Sequence, residues 1–173
     1  MNESNKYNMK FTLRKFRESD LENLVKYANN YNIARFLTNG FPHPYTEQDG
    51  KNFLSIALMH PSIFTIDVAG EAVGSIGLFP QSDIHQKSAE LGYWLAEPFW
   101  GKGIITQAIQ EMVEYGFKTF DIVRIYARPF STNLASQRVL EKAGFVYEAR
   151  LKKAICKNGE YMDEIIYAKL RNE

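Results

Sequence analysis

The sequence predicts a single domain of mixed α/β class, on three observations. Its 173 residues suit one hydrophobic core. Apolar residues alternate at period two over several short stretches, then recur at helical spacing from Ile105 onward. Two turn signals, Ala69-Gly70-Glu71 and Lys157-Asn158-Gly159-Glu160, each separate a pair of strand-like runs, as hairpin connections do. No repeat, linker or low-complexity stretch divides the chain. Residues 1–10 are polar and read as a flexible lead-in, leaving 11–173 as the domain.

The elements follow in order. Phe11 to Arg17 alternates as a first strand. Ser19 or Asp20 then stands where an N-cap belongs, before Leu21, Leu24, Val25 and Ala28 at helical spacing. Asn29 to Thr38 continues with a broken apolar pattern, enough for a helical turn or two. Two prolines make Gly40 to Tyr45 an irregular loop. Thr46 with Asp49 three residues on predicts the next helix start, and Pro61 stops that helix. Strands at Ser62–Val68, Ala72–Phe79 and Ser88–Ala96 come next. In the last, Leu91, Tyr93 and Leu95 share one face, and Glu90, Gly92 and Trp94 the other. The series Ile105, Ala108, Ile109, Met112, Gly116 predicts a helix of about four turns. Val123 to Ala127 is a strand, Asn133 to Ala143 a helix closed by Gly144, and Phe145–Cys156 with Tyr161–Leu170 a final hairpin.

Composition narrows the function classes. Net charge is +1, and no stretch clusters Lys and Arg as phosphate neutralisation along a nucleic acid requires. No run of about 18 apolar residues marks a membrane span, and the polar N-terminus lacks the apolar core of a secretory signal. Cys156 is alone and His43, His60 and His85 are scattered, so no intrachain disulfide and no metal site is expected. These features together predict a reducing, cytoplasmic setting.

The most informative stretch is Tyr93 to Ala108, YWLAEPFWGKGIITQA. A strand ends, a glycine-rich turn follows, and a long helix begins at once. Such a turn presents unpaired backbone N–H groups at the positive end of a helix dipole, a site suited to a pyrophosphate. Gly101 and Gly103 leave no side chain in the way, and Lys102 adds positive charge. The plain alternative is a tight connection with nothing bound. The spacing is neither that of a Walker A loop nor the dinucleotide G-x-G-x-x-G.

Trp100-Gly-Lys-Gly-Ile-Ile105 resembles the coenzyme A motif of the GNAT acetyltransferases, and tryptophan in first place resembles its RimJ/RimL-type branch. The segment Asn133-Leu-Ala-Ser136-Gln-Arg-Val-Leu140-Glu-Lys-Ala-Gly-Phe145 is similar to the second GNAT motif, N-x-x-A/S-x-x-x-Y/L-x-x-x-G-F. Taken without the resemblance, Asn133 is a helix cap and Ser136 a filler. Two departures stand out: Ile105 replaces the usual Gly or Ala, and Gln107 stands where Glu is frequent.

The resemblance implies a central mixed, mostly antiparallel sheet of six to seven strands flanked by about four helices. A splayed parallel pair, Glu90–Ala96 and Val123–Ala127, would hold acetyl-CoA as co-substrate, with no metal. It implies cofactor contacts from Leu95, Ala96, Trp100, Gly101, Lys102, Gly103, Ile104, Ile105, Thr106, Asn133 and Ser136, an N–H near Leu95 and Ala96 facing the thioester oxygen. Many GNAT enzymes carry a tyrosine acid where this chain has Leu140; the RimJ/RimL-type branch is thought to use a serine at the position of Ser136, here a hydrogen-bond donor to sulfur. It also places the acceptor between the loop Phe41–Tyr45, the helices before it and the central strands; Phe36, Tyr45, Phe79 and Trp94 are candidate walls, though aromatic residues at such positions are more often plain core. Relatives often pair, which makes a homodimer an expectation too.

Acetyl transfer requires a neutral amine. At pH 7 deprotonation costs about 4.6 kcal/mol for a lysine-like amine and about 1.4 kcal/mol for an α-amine. A proton acceptor follows from this, and Glu90, beside Gly92 on the central strand, is the candidate base, directly or through water. The contrary reading of Glu90 is a strand carboxylate paired with a neighbouring Lys or Arg. Glu160, Asp163 and Glu164 read as solvated. Two other readings compete: a coenzyme A-binding regulatory module without catalysis, and a nucleotide-binding protein of another fold.

Overall fold

A computed structural model of the chain describes residues 9–172. The expected lead-in falls outside the described residues except for Met9 and Lys10, which lie in neither helix nor strand. The strands are β1 (Thr12–Arg14), β2 (Ile63–Val68), β3 (Glu71–Pro80), β4 (Ser88–Leu95), β5 (Arg124–Ala127), β6 (Val146–Lys157) and β7 (Glu160–Leu170). The helices are α1 (Leu21–Ala28), α2 (Tyr31–Ala34), α3 (Glu47–Ala57), α4 (Ile104–Thr119) and α5 (Leu134–Lys142). The broken pattern after Asn29 yields the four-residue α2, one of five α-helices among the described residues.

Local chemistry accounts for several boundaries. Thr46 and Asp49 form the expected reciprocal cap: the Asp49 N–H donates to Thr46 Oγ1 at 3.3 Å, and the Thr46 N–H to the Asp49 carboxylate at 2.7 Å. Both hairpin turns need two successive residues at positive φ, and they have them: Ala69 (53°) with Gly70 (91°), and Asn158 (52°) with Gly159 (83°). β1 is shorter than its alternation suggested. It pairs with β2 only from Thr12↔Asp67 to Arg14↔Thr65, and Phe16 turns into the core instead. The Arg14 guanidinium then fastens this corner, donating to both Asp20 oxygens at 2.7 and 2.8 Å and to Asp67 at 2.6 Å.

The seven strands make one sheet in the order β1-β2-β3-β4-β5-β7-β6. Every neighbouring pair is antiparallel except β4 with β5. That parallel pair holds over Ser88–Glu90 against Arg124–Tyr126 and then parts. Period-two alternation sends Leu91 and Leu95 into the larger core, with Ile104, Ala108 and Met112 of α4 and Leu140 of α5. Trp94 faces the opposite way, into a smaller core with Leu24, Ile33, Tyr45 and Leu54. Helix α4 lies across both halves of the sheet. A Cβ at Gly116 would stand 2.5 Å from Leu78 of β3 and 3.1 Å from Ile125 of β5, so glycine permits this close approach.

Candidate active site

The turn ahead of α4 has the form that the sequence predicts. Gly101 and Gly103 adopt φ values of 71° and 76°, which an L side chain rarely takes. Gly103 is the N-cap of α4; no side chain caps the helix, and no acidic residue stands in its first turn. Its leading N–H groups are therefore free of a side-chain acceptor and keep their partial positive charge. A Cβ on Gly101 would meet nothing within 4 Å, so the turn is open on that side. Nearby, the Trp100 indole N–H donates to the Leu95 carbonyl at 2.7 Å and ties the end of β4 to the turn. Ile105 packs its bulk partly against the larger core.

A cavity of about 480 Å³ runs from this turn into the gap where β4 and β5 part. Its walls come from both faces of the sheet. Ile105 of α4 and Ser136 and Val139 of α5 line it on one side; Phe36, Trp94 and Arg128 line it toward the other. The ladder makes β4 directional here. The Ala96 N–H donates to Val73 at 2.8 Å, so alternation turns the Leu95 N–H away from β3, toward the side where β5 has diverged.

The structure brings together most of the residues expected from sequence. Leu95, Trp100, Gly101, Lys102, Gly103, Ile104, Ile105, Thr106, Asn133 and Ser136 all border the cavity, as do Glu90, Phe36 and Trp94. Three expected residues do not. Ala96 is buried and its N–H is taken by Val73, so it offers no donor to a ligand. Tyr45 belongs to the smaller core, where burial pushes its phenol up to about 12. Phe79 lies outside the cavity against His60, with ring centroids 5.5 Å apart.

The plainer readings of two motif residues are also realised. Asn133 is the α5 N-cap, its Oδ1 accepting the Ser136 N–H at 3.1 Å. Glu90 accepts from Arg128 Nε at 3.0 Å and Nη2 at 3.2 Å, across the last rungs of β4 and β5. Leu140, where the resemblance looks for an acid, is fully buried in the larger core.

Two polar residues of the cavity wall, Arg128 and Tyr93, and a third beside it, Glu164, were not anticipated there. Arg128, just past β5, also lies 3.7 Å from Glu164, whose side chain is 13% exposed. Glu164 is thus not solvated: burial pushes its carboxyl up, Arg128 opposes that, and the Glu90 charge adds to it. Asp163 likewise accepts from Arg150 at 2.7 Å and the Lys153 N–H at 2.8 Å, while Glu160 is exposed. The other wall residue is Tyr93, whose phenol oxygen stands 2.7 Å from Ser136 Oγ. Its alternation on β4 marked the face, but nothing in the sequence joins positions 43 residues apart.

The sheet thus parts around one cavity, with uncapped helix-start amides at one end and a carboxylate at the other. The chain belongs to the GNAT acetyltransferases: residues 10–146 match the family model described as an acetyltransferase (GNAT) domain. It is thereby an acetyl-CoA-dependent N-acetyltransferase. It is 30% identical to the uncharacterized N-acetyltransferase YnaD of Bacillus subtilis, over 93% of this chain and 94% of that one. Among solved structures, the microcin C7 self-immunity acetyltransferase MccE, in complex with acetyl-CoA and AMP, is 27% identical. Its TM-score is 0.81, and the match covers 95% of this chain and 94% of that one. RimL, the ribosomal L7/L12 α-N-protein acetyltransferase, in complex with coenzyme A, is 26% identical with a TM-score of 0.78; coverage is 95% here and 96% there.

Proposed function

We propose that this chain moves the acetyl group of acetyl-CoA directly to a primary amine, either a peptide N-terminus or the amine of a small molecule. The observation that supports this best is the continuity of one cavity through the gap between β4 and β5. It joins an uncapped helix start to a carboxylate on the opposite side of the sheet.

The residues present suit the donor. The bare amides from Gly103 into α4, with the positive-φ glycines beside them, would hold the diphosphate through main-chain N–H groups. Acetyl-CoA supplies the thioester. The Leu95 N–H, turned toward the gap, is the donor for charge that develops on the thioester oxygen. The Ser136 hydroxyl hydrogen-bonds the departing sulfur.

Glu90 is the proton acceptor for the amine. Both its oxygens already accept from Arg128, so a proton reaches it on a remaining lone pair, through an ordered water. An acceptor held this way serves an α-amine better than a lysine-like one, because the α-amine needs about 3 kcal/mol less to become neutral at pH 7. Phe36 and Trp94 wall the acceptor end.

Thiol release from acetyl-CoA, measured against peptides and small amines side by side, tests the reading. Turnover is expected with at least one α-amine. Ser136→Ala should lower it by about tenfold to a hundredfold, and Glu90→Gln should alter the pH–rate profile. Coenzyme A binding with no thiol release across the whole panel would refute catalysis and leave a binding module.

A further inference from the structure

The Tyr93 phenol borders the cavity, yet acetyl transfer as argued above gives it no part. Its oxygen lies 2.7 Å from Ser136 Oγ, and no other hydrogen bond involves either hydroxyl among the described residues. Two hydroxyls at that distance share one proton and have one left over. Which one is left over decides what the pair can do.

If Ser136 donated to Tyr93, the phenol proton would be left over at the edge of the cavity, with no acceptor among the described residues. If Tyr93 donates to Ser136, the seryl proton is the one left, and it faces a cavity that a ligand can fill. The second arrangement satisfies both groups once the site is occupied. Burial pushes the Tyr93 phenol well above its ordinary value, so it keeps its proton and stays a donor throughout the working range. The other side of Ser136 is already fixed, since its N–H donates to Asn133 Oδ1 at 3.1 Å.

We propose that Tyr93 is a positioning residue: its phenol donates to Ser136 Oγ and so aims the seryl proton at the leaving sulfur of coenzyme A. This rests on the acetyl-CoA reading of the cavity. Tyr93 also lies two residues before Leu95 on the same strand and on the same side of it. One strand thereby sets both the N–H for the thioester oxygen and the donor for sulfur. As the carbon–sulfur bond breaks, its electron pair goes to sulfur. Ser136 hydrogen-bonds that charge and keeps its own proton, and the thiolate is protonated by water. Leu140 has no donor to offer and is buried in the core.

The test reads the bound thiol as well as turnover. Coenzyme A is bound to the wild type, Tyr93→Phe, Ser136→Ala and the double variant, and its thiolate absorbance is titrated against pH. The wild type should hold the bound thiol about one pKa unit below the value in Ser136→Ala, a tenfold difference in the thiolate-to-thiol ratio. Tyr93→Phe should match Ser136→Ala, and the double variant should go no further. In turnover, Tyr93→Phe should lose about tenfold in kcat with KM for acetyl-CoA unchanged, and should lose nothing more in the Ser136→Ala background.

A wild-type bound-thiol pKa in Tyr93→Phe overturns the proposal, as do additive effects of the two substitutions. Should Tyr93→Phe fold poorly, Ser136→Ala decides alone: an unchanged bound-thiol pKa there overturns it equally. If the wild type binds no coenzyme A, the function proposed above falls, and this inference with it. A wild type that binds and turns over while Tyr93→Phe does the same removes only the role of Tyr93.

Discussion

Replacing Gly101 with alanine separates the strain of the turn from its use. Gly101 sits at φ 71°, and an L side chain held in that left-handed region costs about 1–2 kcal/mol. A Cβ there meets no protein atom within 4 Å, so no steric term adds to this in the free protein. For a chain of this size each kcal/mol lowers Tm by about 2–4 °C, giving a drop of about 2–8 °C. The strain is present in free and bound protein alike and cancels in the dissociation constant. Any loss of affinity therefore reports the new methyl group against the ligand. If a diphosphate lies against the open side of the turn, coenzyme A should bind at least about tenfold more weakly, or about 1.4 kcal/mol. Thermal melting and titration calorimetry read the two effects separately. A lower Tm with an unchanged Kd would refute the placement of the diphosphate at this turn.

Two further outcomes follow from the packing. Burial pushes the Asp20 carboxyl up, but the Arg14 guanidinium and the Arg17 N–H outweigh it and hold the group below the usual carboxylate range. Its contribution is complete above about pH 4, the ordinary aspartate value, and is lost as pH falls through the lower value of the folded state. Asp20→Asn should cost about 3 kcal/mol at neutral pH, the lower end for breaking a buried pair because Arg14 keeps Asp67. It should also flatten the acid limb of a denaturation series; an unchanged acid limb would remove Asp20 from that role. Leu140→Ala, at a fully buried position in the larger core, should cost about 3–5 kcal/mol in urea unfolding, and a loss under 1 kcal/mol would mean that α5 collapses onto the sheet.

Sequence and structure agree where the determinants are local. The Thr46–Asp49 cap, the two positive-φ turns and the glycines before α4 each depend on residues within a few positions of one another. Their local geometry could be read directly. The pairings that shape the site are not local. Glu90 meets Arg128 and Tyr93 meets Ser136 because β4, β5 and α5 converge in space, at separations of 38 and 43 residues. Alternation along β4 assigned Glu90 and Tyr93 to opposite faces but could not name the partner across either one. The same limit explains Tyr45 and Phe79. An aromatic residue near a loop or strand end is more often core than wall, and packing assigned Tyr45 to the smaller core. For Ala96 the limit is different: whether its N–H is free depends on the register with Val73.

The brief contact between β4 and β5 has a mechanical consequence. Among the described residues three rungs, Ser88↔Arg124 to Glu90↔Tyr126, pair the two half-sheets, and α4 spans the joint with Gly116 seated over Leu78 and Ile125. Anything wedged beyond the third rung acts as a splint across a hinge. An occupant at a hundredfold its Kd would add about 2.7 kcal/mol to the stability of the whole molecule.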